Sequence, residues 1–374
     1  MRRIIALTAA LMLFAPTAGA READTVRLLT HESFAVSQDV LDAFTTETGY
    51  RLEILTGGDA GQIVNQAILS AGNPVADVMF GADTTFLSRA LEGDVFEEYE
   101  SPGLDVIPPG LLADPRVTPI DVGDVCLNYD KAAFTDLPPP LTLDDLTDPA
   151  YRNMLVVENP ATSSPGLAFL LATIARFGET GDYTWQDYWS DLRSNGVHVT
   201  QGWEEAYYGS FSGGSGEGDR PLVVSYASSP PAEVLFAIEP TDTAPTGVVA
   251  DGCFRQVEFA GILAGTDNRK GAEALIDFML SVEFQEDIPL TMFVFPASTE
   301  ATLPDVFVTH AVVPDSPETM DPGAIEENRE RWVDEWTSIV LRDPSGTPWG
   351  AIGAWSVAAA ILTLGWWMTR RRRR

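Results

Sequence analysis

The sequence predicts an α/β protein of two lobes with a cleft between them. Three observations carry that reading. Strand and helix patterns alternate as a βαβαβ run over residues 25–92, and a second α/β unit follows from residue 122. At 374 residues and 45% hydrophobic, the chain is long and apolar enough to bury sizeable cores. Both ends also carry export and membrane signals, so the folded middle is expected outside the cytoplasm.

Thr25 to Leu29 reads as the first strand. Ser37 to Thr48 has helical spacing, with Val40, Leu41 and Phe44 on one face, and Tyr50 to Leu55 alternates as a second strand. Ala60 to Ala71 is a helix, Ala76 to Phe80 a buried strand ending at Gly81, and Phe86 to Glu92 another helix. Parallel pairing with crossover helices follows from that order. In the second unit, Val122 to Tyr129 and Asn153 to Val157 are strands, with a short helix opening at Leu143 to Leu146. Gly166 to Phe177 is a long apolar helix after Pro165. Pro221 to Tyr226 is a strand, Ala232 to Ile238 a helix, Phe254 to Leu263 a strand and Arg269 to Leu280 a helix. Ala324 to Leu341 closes the fold as an amphipathic helix.

Residues 1–20 read as a secretory signal: Arg2-Arg3, an apolar stretch from Ile4 to Phe14, and the small residues Ala18-Gly19-Ala20. Residues 342–348 form a linker. Trp349 to Met368 is an uncharged 20-residue run, about 30 Å as a helix, and reads as a transmembrane span. Residues 369–374, with five consecutive arginines, form a cytoplasmic tail by the positive-inside rule. The expected location is therefore periplasmic or cell-surface, anchored in the cytoplasmic membrane by the C-terminal helix. Processing of that span after export is the alternative.

Charge excludes one partner class. Fifty-five acids face 23 bases, for a net charge of −32. Seven of the bases sit at the two ends, so the middle is more acidic still. Such a surface repels phosphate backbones, and no nucleic acid is expected as partner. Enzyme signatures are poor. No G-x-S-x-G occurs, His31, His198 and His310 are far apart, and two cysteines with three histidines are too few for a spaced zinc site. Neither a catalytic residue nor a metal site is assigned. Outside the cytoplasm, the even pair Cys126 and Cys253 favours a disulfide over free thiols.

Candidate binding residues gather at loop-to-helix junctions. Asp59 precedes one helix, and Thr162-Ser163-Ser164-Pro165-Gly166 precedes the long apolar one, where N–H groups and the helix dipole favour an anion. Trp203 follows Gly202, and Tyr226-Ala227-Ser228-Ser229-Pro230 closes a strand. Singly, Asp59 and Ser163 read equally as helix caps, and Trp203 and Tyr226 as core. Together they describe an aromatic clamp with a few polar anchors.

From about Thr25 to Leu341 the chain resembles the periplasmic thiamine-binding proteins of ABC importers. The motifs that carry the likeness are His31-Glu32-Ser33-Phe34, Asp77 to Asp83, Tyr129-Asp130-Lys131, Asn159 to Leu167 and Gly202 to Tyr207. Ser225 to Pro230, Gln256-Val257-Glu258 and Phe284 to Pro289 continue it. The resemblance implies a type II periplasmic-binding fold, each lobe a mostly parallel sheet with flanking helices. Lobe 1 is then residues 25–121 and 256–341, and lobe 2 residues 122–255. It also implies capture of thiamine or its phosphates, with no cofactor, and delivery to a permease and its ATPase.

Carried over singly, Asp59 falls on the family's acidic ligand residue, Ser163-Ser164 on its hydroxyl pair and Trp203 on its tryptophan. Tyr226, Ser228 and Ser229 fall on its Tyr-x-x-Ser-Pro segment. A thiazolium ring is attracted to the faces of Trp203 and Tyr226. Phe293 stands where enteric members have tryptophan, and His31-Glu32 replaces a Tyr-Asp pair near the cleft. By the same resemblance Cys126 leaves the first lobe where Cys253 returns, which places the two within disulfide reach. The alternatives are a ferric-iron-binding protein of the same fold, motivated by Tyr207-Tyr208, and a tethered ligand-sensing ectodomain.

Overall fold

A computed structural model describes residues 25–342, and within them ten strands join in one continuous sheet. The first unit runs β1 (Thr25–Thr30), α1 (Gln38–Thr48), β2 (Arg51–Thr56), α2 (Ala60–Leu69), β3 (Val78–Asp83) and α3 (Leu87–Glu92). A short β4 (Phe96–Glu97) follows, then the long β5 (Thr118–Asp130). Next come β6 (Leu155–Glu158), α4 (Ser164–Phe177), α5 (Trp185–Ser194), β7 (His198–Thr200), β8 (Leu222–Tyr226) and α6 (Pro230–Leu235). The longest strand, β9 (Thr246–Leu263), leads to α7 (Arg269–Met279), α8 (Val282–Thr291), β10 (Phe295–Pro296), α9 (Asp305–His310) and α10 (Pro322–Val340).

Each lobe holds a parallel trio. β1 pairs in parallel with β2 and β3, and β6 with β7 and β8. β3 and β6 are buried along their whole length, which is why they read as unbroken apolar runs with no alternation. The trios are joined by β5 and β9, which lie antiparallel to each other from Thr118↔Ala260 to Asp130↔Thr246. β9 also pairs antiparallel with β3, and β5 with β8. The expectation of a mostly parallel sheet in each lobe is therefore corrected to one mixed sheet. Two long strands pass from lobe to lobe and their hydrogen bonds bind the trios together.

The β5–β9 register breaks between Val125 and Leu127, where Val125 faces Phe254 but Leu127 faces Val249. The break sets Cys126 against the extra residues of β9. There Cys126 and Cys253 form the expected disulfide, with Cα atoms 4.4 Å apart and a sequence separation of 127. Burial organises the helices. Every residue of α4 from Ser164 to Ile174 is buried, so it is apolar all round and shows little amphipathic stripe. α10 packs on α5 and on α3, with Trp336 edge-on to Trp189 at 5.4 Å, so it ties the two halves together behind the sheet.

One element of the expected fold is corrected. No helix among the described residues is long and apolar enough to cross a membrane, so a transmembrane helix is not part of the observed fold. The span expected at 349–368, the tail 369–374, the signal 1–20 and all but the first residue of the linker 342–348 lie outside the described residues.

Candidate functional site

A cavity of about 340 Å³ opens between the lobes, at the C-terminal ends of the parallel strands and the N-termini of α2, α4 and α6. Open α/β sheets place ligands there because loops diverge at that edge and helix N–H groups point into the gap. Seven of the sequence-derived residues line the cavity: His31, Asp59, Ser164, Trp203, Tyr226, Ser229 and Phe293. Ser163 and Ser228 do not. Both are fully buried behind the wall, and neither hydroxyl has a hydrogen-bond partner among the described residues.

The aromatic wall is built from three segments. Trp203 stacks on Tyr207 with ring centres 5.0 Å apart, and its indole N–H donates to Ser225 Oγ at 2.9 Å. Tyr207 and Tyr208 belong to a π-helical stretch, Glu205–Ser210, whose wider turn presents both rings toward Trp203. Tyr226 ends β8, the strand of the second trio that lies beside β5. Phe293 follows α8 with φ at 57°, a left-handed conformation that costs a bulky residue energy, and meets Phe236 edge-on at 5.5 Å.

Asp59 is the polar centre. Its carboxylate accepts from Ala60 N at 2.7 Å, capping α2, and reaches across the cleft to Trp203 N at 2.9 Å and Ser164 N at 3.4 Å. One anion thus sits between the N-termini of two facing helices, α2 and α4. Gly202 allows this approach, since a Cβ there would lie 3.1 Å from Asp59 Oδ2. Two further bonds cross the same gap: Gly61 N to Thr162 O at 3.1 Å, and Ser33 Oγ to Glu204 Oε1 at 2.9 Å.

Acids surround the floor. His31 Nε2 lies 3.8 Å from Glu258 Oε1, and its ring fits because Gly81, at φ 105°, has no Cβ to meet Cδ2. Burial lowers the His31 pKa, but Glu258, Asp59 and Asp83 outweigh it and leave the group above its usual value. Asp83 is pushed up to about 7 by burial, although Ser164, Thr85 and the Phe86 N–H stabilise its charge. Gln256 also bonds Asp83, and donates to Ser164 Oγ at 2.9 Å. Asp121 and Glu158 are pushed well up, chiefly by burial. Burial raises Glu32 as well, and repulsion from Asp59 and Glu204 adds to it.

Sequence reasoning placed Glu32 near the cleft but passed over Glu204 and Glu258 as cavity groups, because one carboxylate among 55 acids carries no signal. Tyr207, Tyr208 and Phe236 also line it. The stack needed the π-helical turn, which no periodicity announces.

Comparison with known proteins places the chain among binding proteins. A thiamine-binding periplasmic protein of Brucella suis biovar 1 (strain 1330) is 29% identical over 349 residues, 91% of this chain and 100% of that protein. Its namesake in Escherichia coli (strain K12) is 29% identical over 317 residues, covering 84% and 92%. The solved structure of a periplasmic thiamin binding protein superposes with a TM-score of 0.77 at 26% identity, covering 87% of this chain and 98% of that one. Residues 73–319 match the model for bacterial extracellular solute-binding proteins. The chain belongs to that family of extracellular solute-binding proteins.

Proposed function

We propose that this protein captures thiamine in the interlobe cleft outside the cytoplasm and delivers it to an ABC importer, made of a permease and its ATPase. The observation that carries the reading is the pairing of an aromatic wall with an acidic rim around one cavity. Trp203, Tyr226 and Phe293 supply faces for a flat ring system, and Glu32, Asp59, Glu204 and Glu258 suit a cation. Ser164, Ser229 and His31 are polar anchors, while Ser163 and Ser228 lie buried behind the wall. Asp59 holds the lobes together around the ligand. The lobes are assigned as residues 25–121 with 256–341, and 122–255; export is assigned to residues 1–20. The role is binding, not catalysis.

Ferric iron is the competing ligand, and the tyrosine pair speaks against it. Tyr207 donates to Glu233 Oε1 at 2.7 Å, and its pKa is raised by burial and by Glu233, which opposes the phenolate that Fe³⁺ requires. A thermal-shift and calorimetry panel of thiamine, ferric citrate and buffer tests the reading. Thiamine at 100 times its Kd should stabilise the protein by about 2.7 kcal/mol. A shift with ferric citrate and none with thiamine would overturn it.

A further inference from the structure

We propose that Glu233 is a positioning residue for the aromatic wall, acting through Tyr207 to fix the plane in which Trp203 receives a ligand ring. This deepens the thiamine reading above and rests on it for the identity of the ligand. Trp203 is held at one edge and on one face. Its indole N–H donates to Ser225 Oγ at 2.9 Å, and that hydroxyl lies 3.0 Å from Ser229 Oγ. A single edge bond lets the ring rock about the N–H axis. The stacked Tyr207 ring, 5.0 Å away and 21° from parallel, removes that freedom so long as Tyr207 is itself fixed.

Glu233 fixes it. The Tyr207 hydroxyl donates to Glu233 Oε1 at 2.7 Å, and Ser215 Oγ donates to the same oxygen at 3.2 Å. Glu233 is 5% exposed and Tyr207 2%, so water offers neither group a ready substitute partner. The glycine-rich loop closes over the carboxyl group: a Cβ at Gly214, where φ is 58°, would lie 2.0 Å from Glu233 Oε2. Three segments therefore meet at one buried acid: α6, which carries it, the loop, and the π-helical turn Glu205–Ser210. A π-helical turn is a rare conformation, and the bond to Tyr207 ties it to the body of the lobe. Glu233 stands behind the cavity lining, so its burial is accepted without any contact to the ligand. A ring already held in its bound orientation spares the ordering that a mobile ring would undergo on binding.

The test uses the full chain with its disulfide intact and four variants: Glu233→Ala, Glu233→Gln, Tyr207→Phe, and Glu233→Ala combined with Tyr207→Phe. Calorimetry reads thiamine affinity. Near-ultraviolet circular dichroism of the ligand-free protein reads the Trp203 ring, each protein being compared with its own Trp203→Phe counterpart. Glu233→Ala and Tyr207→Phe should each weaken thiamine about threefold to tenfold and diminish the Trp203 signal. The combined variant should be no weaker than the poorer single one, because both changes break the same contact. Glu233→Gln, which keeps an oxygen acceptor, should recover most of the affinity and the signal. An acid that serves the lobe's stability alone would lower the urea midpoint and leave affinity and the Trp203 signal unmoved, which overturns the proposal. Multiplying effects in the combined variant, or Glu233→Gln as weak as Glu233→Ala, overturn it too. If Glu233→Ala does not fold, Tyr207→Phe decides alone, and parent-like affinity and signal there refute the link. A parent protein that binds no thiamine removes the functional reading, while the Trp203 signal still judges what Glu233 holds in place.

Discussion

Replacing Asp59 by alanine should open the cleft more than it unfolds the protein. The carboxylate makes one bond within its own lobe, to Ala60 N, and two across the gap, to Trp203 N at 2.9 Å and Ser164 N at 3.4 Å. A hydrogen bond to a charged group contributes about 1.5–3 kcal/mol, and the long second bond, together with the α4 dipole, adds roughly 0.5–1 kcal/mol. Discounting these for the water that replaces them on opening leaves about 2–3 kcal/mol on the closure equilibrium, a factor of roughly 30 to 150. Because ligand is held tightly only in the closed form, the apparent Kd for thiamine should rise by the same factor. Losing the α2 cap costs global stability only about 1 kcal/mol, so the variant stays folded.

Small-angle scattering and an interlobe fluorescence pair read closure directly, and calorimetry reads the affinity. Gly202→Ala provides a second perturbation that removes no polar group. Its Cβ would press to 3.1 Å from Asp59 Oδ2 and should shift closure the same way by a smaller amount. If Asp59→Ala keeps the parent's interlobe distance distribution and its thiamine Kd within threefold, the latch does not exist.

Three further outcomes are expected. Trp203→Ala should weaken thiamine at least tenfold, about 1.4 kcal/mol, and Trp203→Phe less; parent-like affinity by calorimetry would remove the indole from the site. Replacing both Cys126 and Cys253 by serine opens a loop of 127 positions, for which chain entropy allows up to about 5 kcal/mol. A urea midpoint unchanged from the oxidised parent would contradict that. Stability should fall as pH rises from about 4 to about 7, because Asp83 keeps its proton to about 7 when folded but releases it near 3.8 when unfolded. The raised pKa values of Asp121, Glu158 and His31 act in the same direction, since each folded group holds a proton that the unfolded chain releases. Melting temperatures of the ligand-free protein should therefore drop over this window and flatten in Asp83→Asn; a rise would refute the assignment.

Several elements escaped the sequence for identifiable reasons. α5 carries a capping box at Thr184 and Asp187, yet its four buried aromatic and aliphatic residues, Trp185, Tyr188, Trp189 and Leu192, lie in a polar stretch that reads as irregular. β9 begins at Thr246, eight residues before the expected start, because Gly247, Asp251 and Gly252 look like turn residues. Pairing with β5 overrides that local preference. α8 contains Pro289, and the sequence shows a breaker where the structure keeps a helix.

What the sequence determined by itself was whatever depends on near neighbours. An apolar run marked β3 as a buried strand, and Ser-Ser-Pro-Gly marked the start of α4. Linked motifs placed Trp203, Tyr226 and Phe293 at one cleft. Only the tertiary structure decided which distant groups meet. Asp59 bonds Trp203 across 144 positions, His31 faces Glu258, and Cys126 sits at a register break that no local pattern reports. The reason is physical: periodicity records which face of a segment avoids water. Which carboxylate among 55 stands beside a given N–H depends on strand order and sheet register, and these form only when the whole chain packs.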